Sequence, residues 1–182
     1  MLQISKPGRF SYMNTRDLTT VLPTLLSELV HGSPRPDVGT YMLNRGDGGL
    51  LESLEALSAA GASANSNGGG SIAAHVDHVR YGLALLNRWA AGEPAPWKGA
   101  DWTASWRRPT VTDAEWRTLR DDLEREADRW CDAIRVPRDV NDAELGWVIG
   151  SIAHLAYHLG AIRQIDRNTR GPTADEERRF QV

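Results

Sequence analysis

Sulfur chemistry is nearly absent from this chain, whose only cysteine is Cys131. One thiol cannot build an internal disulfide framework, and such usage fits a reducing, cytosolic setting. An excess of positive charge is missing too. The 21 Lys and Arg face 24 Asp and Glu, for a formal net charge of −3, which argues against nucleic acid or an anionic membrane as the main partner. The opening stretch MLQISKPGRFSYMNTRD lacks the uninterrupted apolar core of an export signal, so we expect a cytoplasmic protein. No run alternates like a β-strand, and there is no internal repeat. Walker and Rossmann glycine patterns are absent, and GGGSIA lacks the G-x-S-x-G pattern of a nucleophile elbow.

What is present is helical. The 182 residues, 41% hydrophobic and 25% charged, suffice for one domain with a real core. TRDLTTVLPTLLSELVHG is a first helix, with Asn14 or Thr15 as its cap, Gly32 beyond its end and Pro23 inside, where a kink or restart is expected. GLLESLEALSAAGAS, with Leu51, Leu54 and Leu57 at three-residue spacing, predicts a short amphipathic helix. After ANSNGGG, Ser71 caps SIAAHVDHVRYGLALLNRWAAGE, whose seam is Ile72, Val76, Val79, Leu83 and Leu86. The connector PAPWKGADWTASWRRP is too proline-rich for a helix.

The next helix opens on the capping box Thr112-x-x-Glu115 and is expected to bury Trp116, Leu119, Leu123, Ala127 and Trp130. Asn141 and Glu144 cap the last. The expected architecture is all-α, a four-helix bundle with an additional N-terminal helical segment. Residues 1–47 form that extension and its loop, packed on the bundle, 48–168 the bundle itself, and 169–182 a polar tail.

The last helix holds an oddity. From Leu145 to Ile162 no side chain is formally charged, nearly the ~20 apolar residues that a bilayer span requires. Two histidines, Ser151 and several glycines interrupt it, and we read it as the most buried helix of a soluble bundle.

The five histidines are His31, His75, His78, His154 and His158. Four fall on two predicted helices, one pair three apart and one pair four apart, and both spacings place imidazoles on one helical face. A lone histidine on an apolar face is usually a core residue bonded to a carbonyl. Two pairs are harder to satisfy that way, because each buried imidazole needs its own partner. A shared divalent ion, zinc or nickel, satisfies several at once, and three histidines leave an open coordination position. A zincin motif fails because Leu155 stands where H-E-x-x-H needs glutamate, and no Glu-x-x-His pair of a di-iron bundle occurs at His75, His78, His154 or His158. Spacing alone leaves either His75 or His78 as the third ligand. Cys131, beside Trp130, reads as a buried structural thiol.

SIAAHVDHVRYGLALLNRW and HLAYHLGAIRQI together resemble the DinB/YfiT-like family, across residues 48–167. There a capping serine is followed seven residues later by a metal-binding histidine, and the last helix carries H-x-x-x-H, often continued by R-G-Q. That register implies His78, His154 and His158 as metal ligands. The resemblance also implies a four-helix bundle, commonly a homodimer, holding divalent zinc or nickel. Some relatives are transferases or isomerases that use a low-molecular-weight thiol such as bacillithiol, mycothiol or glutathione. The alternative is a non-catalytic, metal-stabilised bundle acting as a dimeric interaction or stress-response protein, its open position plugged by a side chain.

This chain departs from the pattern in two respects. Leu159-Gly160-Ala161 stands in place of R-G-Q, with Arg163 and Gln164 a turn later, and His75 is an extra imidazole. Arg163 is either an anchor for an anionic substrate or a solvated helix-end residue. Asp77, next to His78, is expected to point away from it, either pairing with Arg80 or solvated.

Overall fold

The structure is a computed structural model that describes residues 18–33, 40–65 and 70–173. Among these residues the secondary structure is helical throughout, with no strand, as the sequence predicts. The α-helices are α1 (Leu18–His31), α2 (Gly49–Glu55), α3 (Ala59–Ser63), α4 (Ile72–Ala90), α5 (Asp113–Arg135) and α6 (Asp142–Ile165). Single 3-10 turns follow at Ser105–Arg107 and Arg167–Thr169. Asn14, Thr15 and the tail from residue 174 lie outside the described residues.

Local chemistry sets the ends of the long helices. Ser71 Oγ accepts the Ala74 N–H at 3.2 Å, and complete capping boxes at Thr112/Glu115 and Asn141/Glu144 start α5 and α6. Each cap satisfies an N–H that the first helical turn leaves without an intrahelical partner. α1 runs through Pro23 as one element and stops at Gly32, whose φ of +79° suits a residue without a Cβ. A Cβ there would also collide with the carbonyl oxygen of Asp47, so the α1 exit and the α2 entrance meet backbone to backbone.

The leucine-rich segment after Gly48 forms two helices where one is expected. Ser58 caps α3 by accepting the Gly61 N–H, and the Leu57 carbonyl accepts the Trp116 indole N–H at 3.0 Å. These side-chain bonds occupy backbone groups that a continuous helix would have used itself.

α4 packs on α5 and α6, and α1 packs on α5, α6 and α2. Between them lie Leu26, Leu54, Ile72, Leu123, Trp130, Leu155 and Ile162, all at most 1% exposed; burying each aliphatic side chain stabilises the fold by about 2 kcal/mol. Of the expected α5 stripe, Trp116, Leu123, Ala127 and Trp130 are buried and Leu119 partly so. On α4, Leu86 is half-buried, and its neighbour Leu85 is buried. The Trp130 indole N–H donates to Ser151 Oγ at 2.8 Å, a polar link from α5 to α6 within the apolar interior.

Two buried carboxylates fasten the segment between α1 and α2. Glu28, 2% exposed, accepts the backbone N–H groups of Tyr41, Met42 and Leu43 at 2.7 to 3.1 Å. Asp47 takes a two-pronged pair from Arg163 at 2.7 and 2.8 Å and also accepts the Gly49 N–H.

α6 departs from its expected burial. It is the one helix among the described residues long and apolar enough to cross a membrane, and 33% of its most apolar window is buried. One face packs inward through Val148, Ile152, Leu155, Leu159 and Ile162. The opposite face exposes Ile149 and Tyr157, the latter to 70%, and among the described residues nothing packs over Gly146, Gly150 or Gly160. Because that outer face carries glycine, isoleucine and tyrosine in place of charge, the sequence shows no polar stripe to mark it.

Candidate metal centre

The i,i+3 pair of α4 and the i,i+4 pair of α6 meet where these helices pack. His78, His154 and His158 form a cluster whose donor atoms all lie within 4.8 Å of one another, able to hold a metal ion. The His78 ring centre is 5.1 Å from those of both His154 and His158. His154 and His158, one turn apart, bring their Nε2 atoms to 2.9 Å. His75 joins from the neighbouring turn of α4, its Nδ1 2.8 Å from Nδ1 of His158. His31 stands apart, with Nε2 2.9 Å from an Asp128 carboxylate oxygen across α1 and α5.

Every imidazole in the cluster is pushed toward its neutral form. Burial lowers the pKa of His158 to about 3, helped by the repulsion of His154, His75 and His78. Burial likewise lowers His75 and His154, and His78 adds to both by charge repulsion. For His78 burial prevails over the opposing pull of Asp77 and of the Trp102 backbone. Neutral imidazole is the form that ligates.

The donor set could hold a metal ion. Three imidazole nitrogens converge, and Nδ1 of His78 is buried with no hydrogen-bond partner among the described residues. A buried polar atom without a partner is costly, and a bound cation would satisfy it.

The surroundings carry residues that sequence reasoning missed. Trp106 lies over the cluster, its ring centre 5.0 Å from His75, 5.2 Å from His78 and 6.3 Å from His158. Trp102 meets His78 edge-on at 6.0 Å. Both belong to the connector between α4 and α5. Ser105 clips that connector to α4 by donating to Asp77 Oδ2 at 2.6 Å, and Ser71 by donating to the Pro109 carbonyl at 2.5 Å. A Cβ on Gly70 would collide with Trp106, so the glycine makes room for the indole. The available signal was tryptophan itself, three of them within ten residues of a polar connector; rings of that size in a loop seek a surface to cover. Trp97 finds another one, packing on Trp147.

The remaining candidates are engaged elsewhere. Asp77 accepts from Arg80 Nε and Nη2 at 3.0 and 2.7 Å, as expected. Arg163 is spent on Asp47 and Ser53, and Gln164 accepts from Arg170, so neither takes the place of the missing R-G-Q residues at the cluster. Cys131 is 4% exposed and burial pushes its thiol up to about 11, which makes it a poor nucleophile. No protein-family model, curated protein or solved structure matches the chain.

Proposed function

We propose that this protein is a divalent-metal protein of DinB-like type, with His78, His154 and His158 as ligands to zinc or nickel. The observation that carries the reading is the convergence of three imidazoles with the partnerless Nδ1 of His78 among them. When bound, such an ion lowers the pKa of a water or thiol in its open position and supplies a nucleophile at neutral pH. The residues around it hold the ligands neutral and, through Trp102 and Trp106, shield them from solvent.

The activity proposed is transfer or isomerisation of an electrophilic substrate with a low-molecular-weight thiol, in the cytoplasm. The packing of α1 and α4 each on α5 and α6 supports a four-helix bundle that takes in α1, whereas the sequence places those residues in an extension packed on a bundle of residues 48–168. The exposed Ile149–Tyr157 face of α6 supports pairing with a second copy as a homodimer.

Elemental analysis of the purified protein tests the site. The expected result is one zinc or nickel per chain in the wild type and none in His78→Ala or His154→Ala. Stoichiometric metal in both variants would refute the triad.

A second reading, in which the ion only stabilises the fold, is favoured by Trp106, whose indole leans on His78 and stacks at 28° to His158. It predicts that metal raises the melting temperature while thiols and electrophiles give no turnover, even in Trp106→Ala. Turnover gained in that variant would favour a catalytic centre.

A further inference from the structure

The two nitrogens of His158 face different neighbours. Nε2 points to His154 inside the cluster, and Nδ1 points to Nδ1 of His75. A neutral imidazole carries one proton, so one of its nitrogens donates and the other offers a lone pair. Coordination from the cluster side needs that lone pair on Nε2. The proton must then sit on Nδ1, and for a side chain only 3% exposed it needs an acceptor.

We propose that His75 is the positioning residue of this centre, accepting the Nδ1–H of His158 and so holding the Nε2 lone pair toward the metal. His75 is then not a fourth ligand. It takes the second-layer place that a carboxylate or carbonyl oxygen more often fills behind a ligating histidine.

The geometry supplies each part of this assignment. His75 lies one turn from His78 on α4 and meets the opposite edge of His158 from the one that His154 meets. It stands outside the three-histidine donor cluster. Its ring is braced edge-on by Trp106 at 5.0 Å, with Gly70 alongside. With Nδ1 as acceptor, its own proton is on Nε2. The hydrogen-bond chain then runs from His154 Nε2–H to His158 Nε2, and from His158 Nδ1–H to His75 Nδ1. To offer lone pairs to an ion, these residues would have to give up only the first of these bonds, with the His154 proton moving to its Nδ1, so that no net proton would be lost.

The proposal rests on the metal reading, and the experiment separates the two. Long-range proton–nitrogen NMR of the metal-free wild type at pH 7.5 reads the tautomer of His158 directly. Zinc competition against a chromophoric chelator then compares wild type, His75→Leu and His75→Asn. The expected results are an Nδ1–H tautomer, an affinity loss of about 10- to 100-fold in His75→Leu, and recovery of most of that loss in His75→Asn. The carboxamide oxygen of asparagine can accept from nearly the position of Nδ1, so recovery would not follow from packing alone. An Nε2–H tautomer in the wild type overturns the proposal, as does unchanged affinity in His75→Leu or an equal loss in both variants. A wild type that binds no zinc overturns the metal reading alone, and the tautomer still decides the hydrogen bond. Should His75→Leu fail to fold, the wild-type tautomer and His75→Asn remain decisive.

Discussion

Acidifying the metal-free protein should destabilise it through His158. The ring is 3% exposed, and its pKa falls from 6.5 to about 3 on burial among other imidazoles. A depressed folded pKa means that, between these two values, the unfolded chain binds the proton that the folded chain refuses. Stability is therefore complete above pH 6.5 and is lost progressively as pH falls toward 3. Each pH unit in that window costs about 1.4 kcal/mol, so at pH 4.5 the single site has removed about 3 kcal/mol. That is a large share of the ~5–15 kcal/mol available to a domain. The assay is urea unfolding of chelator-treated protein at pH 7.5, 5.5 and 4.5, with His158→Gln alongside. Asp101, which Arg107 holds at about 2, keeps its charge at all three pH values and does not contribute to the slope. The wild type should lose about 3 kcal/mol more than the variant over this range. Equal slopes in the two proteins, or a wild type that gains stability in acid, would refute the reasoning.

Two further outcomes follow from buried groups away from the cluster. Cys131, with its thiol pushed up to about 11 and its Sγ 3.8 Å from the Pro23 carbonyl, should fail to react with a disulfide reagent at pH 8 until denaturant is added; prompt labelling of the native protein would contradict that burial. Asp47→Ala should lower unfolding free energy by about 2–3 kcal/mol, because it leaves the half-buried Arg163 guanidinium with only Ser53 as partner. The double variant Asp47→Ala/Arg163→Met should recover part of that loss, and denaturant titration of the three proteins measures both.

Much of this was legible in the residues because the signals were local. The caps at Ser71, Thr112 and Asn141 announce themselves within four positions, and the histidine pairs are set by one helical period. Contacts between distant segments left no such mark. That Trp102 and Trp106 fold back onto α4 depends on Ser105 reaching Asp77, a bond across 28 residues. The pairing of Arg163 with Asp47 spans 116 residues and could not be told from a solvated helix end. The exposure of the outer face of α6 left no mark for a different reason: hydropathy registers what a side chain is made of, and Gly150 or Tyr157 has the same composition whether or not a neighbour covers it.

The Glu28 clamp has a consequence for how freely this chain can vary. Its carboxylate holds residues 41–43 solely through their amide protons, while the side chains of Tyr41 and Met42 project outward, 73% and 43% exposed. Recognition of that kind is blind to side-chain identity. Positions 41 and 42 are therefore open to almost any replacement, including a fluorophore or an affinity handle, with proline, which has no amide proton to give, as the exception.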